Sequence, residues 1–170
     1  MKLILKRRLW ATSLLLASFA SSAAEQAYKM VVIAEDPMAA IINSAAADKV
    51  ALEPQADLPA GRFARQMNLC VLYSKQQRWQ QATTACHQAV TAGRNTELKV
   101  FSSQRELRSY AYNNRGVAKS LTGDQVGALA DFQRADALTD NDLIRHNLQK
   151  LTAELNSSTL VAVKHAAAPK

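Results

Sequence analysis

The sequence predicts an all-α chain built from antiparallel helix pairs, and three observations predict it. One pattern occurs twice: Asn68 precedes Ala82 by 14 residues and Ala89 follows 7 later, and Asn114, Ala128 and Ala135 repeat that spacing 46 residues on. Trp79, Ala82, Cys86 and Ala89 fall at i, i+3, i+7 and i+10, one face of a helix. Gly123 breaks the second copy midway and Asp124 starts a new helix behind it. A helix pair cannot bury its apolar face alone, so the two copies are expected to stack.

The first element is an export signal, expected over residues 1–24. Lys2, Lys6, Arg7 and Arg8 give a charged start, residues 9–20 are apolar, and Ser22-Ala23-Ala24 supplies small residues for cleavage after Ala24. The apolar run of 12 residues is too short to span a bilayer. Arg7-Arg8 resembles a twin-arginine signal, but its flanks fit an ordinary secretion signal better. No cysteine sits near the cut to carry a lipid. The expected location is therefore periplasmic or secreted, with no membrane insertion after cleavage.

Residues 25–61 read as an N-terminal extension, partly ordered. Residues 28–34 are apolar and β-branched enough for a short strand. Asp36-Pro37 then starts a helix, with Asp as cap and Pro in the first turn. Met38, Ile41 and Ile42 share one side of it, and residues 45–60, with Pro54 and Pro59, read as a linker.

A helical domain is expected over residues 62–156, with copies at about 63–94 and 109–142. The second copy is the sharper. Tyr112-Asn113-Asn114-Arg115-Gly116 leads to Gly123-Asp124, then Gly127-Ala128-Leu129, Phe132, Ala135 and Leu138-Thr139-Asp140-Asn141. It resembles a tetratricopeptide repeat of the exported bacterial type. Asp140 stands where that family usually has Pro, and Lys119 where it has a large apolar residue. The first copy keeps Asn68-Leu69, Tyr73, Trp79, Ala82 and Ala89, but has Gln77-Arg78 in place of Gly-Asp. The copies lie further apart than the roughly 34 residues of the standard repeat. The excess falls around residues 95–105, where Ser103-Gln104-Arg105-Glu106 makes a capping box. The resemblance implies a short solenoid of stacked pairs.

Residues 140–156 read as a C-terminal capping helix, started by Asp140 or Asn141, with Leu143, Ile144, Leu148, Leu151 and Leu155 on its apolar face. The Ala-rich remainder, 157–170, lacks periodicity and reads as a flexible tail.

Cys70 and Cys86 are the only cysteines. A helix turn centred near Arg78 puts them eight residues to either side, level across an antiparallel pair, so an exported chain is expected to bridge them. The role is structural; a redox motif is absent.

Charge and motifs exclude several functions. The signal holds four of the 21 Lys+Arg and none of the 14 Asp+Glu, so the mature chain carries 17 against 14, a net +3. That is weak support for nucleic acid binding, which needs a concentrated basic surface. His87, His146 and His165 form no zincin-like pair, the five glycines do not cluster into a phosphate loop, and no nucleophile motif occurs. No enzyme, metal or cofactor is expected. His146 reads as the solvent side of the last helix.

What remains is surface recognition. In the resembled family the first helix of each pair lines a groove. Carried onto this chain, the groove positions are Ala64, Met67, Val71, Ser74 and Lys75, then Tyr110, Asn113, Val117, Ser120 and Leu121. Such a stripe would suit an extended peptide, with Asn113 and Lys75 bonding its backbone or carboxylate. The expected function is a non-enzymatic adaptor for a protein or peptide. The alternative is a self-associating structural protein, with a homo-oligomer as its expected form, whose groove is filled by its own chain or subunit.

Overall fold

The computed structural model describes residues 27–34, 36–44, 61–94 and 104–166, with side chains to residue 159. The expected signal peptide, the 45–60 linker and Ser103 lie outside the described residues. Six helices account for the regular structure described: α1 Met38–Ile42, α2 Gly61–Lys75, α3 Trp79–Arg94, α4 Gln104–Leu121, α5 Gln125–Leu138 and α6 Asp142–Ala166. Each packs on its successor from α1·α2 through to α5·α6. In addition α2 touches α4 and α4 touches α6, so these three lie side by side.

The turns follow local chemistry. Between α4 and α5, Gly123 takes φ +89°, and the Asp124 side chain accepts the Gly127 N–H at 2.9 Å. Between α2 and α3 the same kind of turn is made by Gln77 at φ 56°. A non-glycine residue in that region carries about 1 kcal/mol of strain. Asp36 Oδ1 accepts the Met38 N–H at 2.8 Å to start α1. Asn141, one residue past Asp140, caps α6 through the Leu143 N–H at 2.9 Å. The helix starting there runs on to Ala166, so most of the stretch expected as a tail continues α6.

Small residues let the helices approach. Ala82, Ala89, Ala128 and Ala135 are at most 1% exposed. Gly116 lies against Phe132, where an added Cβ would come within 2.7 Å of the ring. Cys70 and Cys86 are both fully buried and joined by a disulfide with Cα atoms 4.8 Å apart. The bridge ties α2 to α3 around a sequence separation of 16 residues. A loop of that size corresponds to about 3 kcal/mol.

The α4–α5 pair is tied differently. Asp131 is fully buried and receives Arg115 through Nε at 2.8 Å and Nη2 at 2.6 Å, and Lys119 Nζ at 2.9 Å. Lys119, which stands where the resembled family has an apolar residue, is thus a partner of a buried carboxylate. Burial alone would push the Asp131 carboxyl up, but the hydrogen bonds and charges of Arg115 and Lys119 outweigh it and hold the group below its ordinary range.

Among the described residues, 28–33 pair with no other backbone segment as a strand. They run along α2, α4 and α6, and side chains take the place of a neighbouring strand.

Candidate functional site

Three asparagines make that replacement. Asn68 on α2 accepts the Ile33 N–H at 2.8 Å and donates to the Ile33 carbonyl at 2.9 Å. Asn114 on α4 does the same to Val31, at 2.8 and 2.7 Å. Asn147 on α6 does the same to Lys29, at 2.9 and 2.7 Å. A carboxamide holds one acceptor and two donors in a plane. Each therefore copies the pair of bonds that a residue of an antiparallel strand would exchange. The spacing of two residues between Lys29, Val31 and Ile33 matches the period at which an extended chain turns its N–H and C=O to one side.

The carboxamides are themselves fixed. All three are fully buried, as is Asn113. Asn113 donates to the Lys29 carbonyl at 3.0 Å, and its Oδ1 accepts from Asn147 at 2.7 Å. Asn147 thus has both hydrogens placed, and its orientation is settled by the network.

Side chains of the segment enter apolar clusters on both faces. Val31 and Ile33 pack with Phe63, Ala64, Met67, Tyr112 and Ile144. On the opposite face, Val32 packs among Val71, Leu72, Met38 and Ile42. Met30 bridges the group around Leu69, Cys70 and Cys86 and the group around Val117 and Phe132. Tyr28 stacks on Phe132 with ring centroids 6.0 Å apart. Its hydroxyl donates to Glu154, and Lys150 Nζ stands 4.8 Å over its ring. Lys29 is exposed. Burial, and then the bond to Glu154, push the Tyr28 phenol up to about 12. Glu154 itself is pushed up by burial but held lower overall by Lys150 and Tyr28.

The residues expected to line the groove divide. Met67, Val71, Tyr110, Asn113 and Val117 contact the segment or its clusters, and Ser120 donates to the Gln125 side chain at 3.1 Å. Ser74 turns back to the Cys70 carbonyl at 2.8 Å. Lys75 is used within the chain: its Nζ donates to the Ile42 carbonyl at 2.8 Å, closing the C-terminal end of α1. Tyr110 gives its hydroxyl to Glu106 and receives Asn141 at 3.3 Å. Leu121 is 47% exposed. His146, expected on the solvent side, bonds through Nε2 to the Ala27 carbonyl at 3.1 Å, at the entry of the segment. His87 is exposed beside the buried bridge.

The sequence reading missed Asn68, Asn114 and Asn147 as contact residues. A signal for two of them was present, since Asn68 and Asn114 are the same letter at the same place in the repeat. Asn147 lies 33 residues beyond Asn114, close to one further repeat length.

Elsewhere, an open cleft of about 430 Å³ lies between α2 and α3, lined by Gln66, Leu69, Tyr73, Gln80, Gln81, Thr84, Ala85 and Gln88. Among the described residues no group of three His, Cys, Asp or Glu could hold a metal, and no helix is long and apolar enough to cross a membrane. Compared with protein-family models, with curated proteins and with solved structures, the chain has no match.

Proposed function

We propose that the protein is an exported, non-enzymatic adaptor that binds an extended segment of a partner protein along α2, α4 and α6. In this reading the helix pairs act as a short tetratricopeptide-like solenoid with α6 as its cap, and residues 28–33 occupy the groove until a partner does. One observation carries it: three buried asparagines each bond both polar groups of one main-chain residue, at alternate residues. Such a ladder reads backbone and not sequence, so any extended chain of suitable shape can use it. The resident segment then acts as an internal competitor at an effective concentration in the millimolar range. The Cys70–Cys86 bridge fits an oxidising compartment, in line with the expected export signal.

The test is cross-linking of the tagged protein in cells, with bound species identified by mass spectrometry. Val31→Pro removes the N–H that Asn114 accepts and should weaken the resident segment. It should increase recovery of one reproducible partner. Adding Asn114→Ala should abolish that recovery. Recovery of the protein's own copies alone, in every variant, would replace the adaptor with the self-associating reading.

A further inference from the structure

Resting on the groove reading above, we infer that the site also selects its partner by sequence. The ligand it fits is an extended segment of the form tyrosine, any residue, then four apolar residues, and residues 28–33 are a copy of that ligand carried in the chain. The main-chain ladder alone would accept any extended peptide. The surroundings of the side chains would not. Ile33 is buried, and Val31 and Val32 are half-buried in clusters on both faces, so a polar residue would lose apolar contacts at 31 and 32 and be buried without a partner at 33. Met30, half-buried, packs against the apolar clusters that hold Leu69, Cys70, Cys86 and Val117. Position 29 faces outward and sets no requirement.

The tyrosine site is the most demanding. Phe132 supplies a fully buried face for the ring, Lys150 covers it, and Glu154 accepts its hydroxyl. A phenylalanine would keep the stacking and leave the Glu154 carboxylate with Lys150 as its remaining partner. An aliphatic residue would lose both. Glu154 is half-exposed, so the hydroxyl bond adds a smaller preference for tyrosine over phenylalanine than the ring's burial adds for either over an aliphatic residue.

The test uses the full mature chain carrying Tyr28→Ala and Val31→Pro, which vacates the groove without touching the body. A labelled synthetic peptide of residues 26–35 is titrated and followed by fluorescence anisotropy. Saturable binding is expected. Replacing tyrosine by alanine in the peptide should weaken it at least about tenfold, and by phenylalanine several-fold, while replacing the lysine by alanine should change it less than about twofold. Glu154→Leu in the protein, which removes the acceptor, should reduce the preference for tyrosine over phenylalanine to near one. Equal binding of the tyrosine and alanine peptides would overturn the sequence selection and leave the backbone groove standing. No binding by a variant whose helical circular dichroism is intact would overturn both. Should the double variant unfold, the unsubstituted chain is given a protease site between residues 45 and 60 and cut after folding. Replacement of the severed segment by labelled peptide, with the same dependence on tyrosine, supports the inference. No exchange within a day, or unfolding on cutting, overturns it.

Discussion

Gly116 shows how much one missing methyl group decides. Its Cα faces the ring of Phe132, and a Cβ there would lie 2.7 Å from one ring carbon and 2.8 Å from the next. Phe132 cannot withdraw, because it is fully buried and carries Tyr28 on it. Gly116→Ala is therefore expected to lower stability by about 1–3 kcal/mol, the usual cost of overpacking, despite the better helix propensity of alanine. Urea unfolding followed by circular dichroism measures it. The asparagines act at the same scale. Seven hydrogen bonds join Asn68, Asn113, Asn114 and Asn147 to the main chain of residues 29–33. At about 1 kcal/mol net for each, they can hold an extended segment that has no strand beside it.

At the scale of elements, the two helix pairs are joined by unlike chemistry. The α2–α3 pair has a covalent bridge between buried cysteines, and the α4–α5 pair has the ion cluster of Arg115, Lys119 and Asp131. Removing the carboxylate by Asp131→Ala leaves Arg115 and Lys119 facing a buried gap, with the more exposed Arg134 beside them. It should cost about 3 kcal/mol, toward the lower end for such clusters because Lys119 is 28% exposed and can turn to water. The cluster also sets a pH dependence. The folded Asp131 carboxyl sits below its unfolded value of about 3.9. Its contribution is thus complete above that value and lost as the pH falls through the folded one. Unfolding midpoints measured from pH 6 down to pH 2 should drop below about pH 4 in the native protein, and the Asp131-dependent part of that drop should vanish in Asp131→Asn. Much of this scale was legible in the sequence. Alanines at fixed spacing, a Gly-Asp turn and two cysteines equidistant from Arg78 are local signals. Asp131 was not legible, because an acidic residue within a helix reads as solvated until Arg115 and Lys119 are known to face it.

For the whole molecule, the N-terminal segment is what the sequence conceals. Residues 28–34 carry a strand signature, yet their partners are side chains 35, 83 and 118 residues away. Periodicity reports which face of an element is buried, not what buries it. The candidate groove was legible to within one residue, since Met67 and Asn113 are the immediate neighbours of Asn68 and Asn114, and both pairs are buried. Of the other expected groove positions, Lys75 is bonded to the Ile42 carbonyl and Leu121 is exposed, whereas Tyr110 packs against the cluster that receives Val31 and Ile33 while its hydroxyl goes to Glu106. All of this rests on the asparagine ladder holding an extended chain along α2, α4 and α6. Hydrogen exchange of the native protein, read by mass spectrometry over residues 27–34, tests it most directly. The amides of Lys29, Val31 and Ile33 should be protected, and Asn114→Ala should release them while α3 and α5 stay protected. Exchange of these three amides in the native protein at the rate of an unstructured chain would mean that the ladder does not hold the segment.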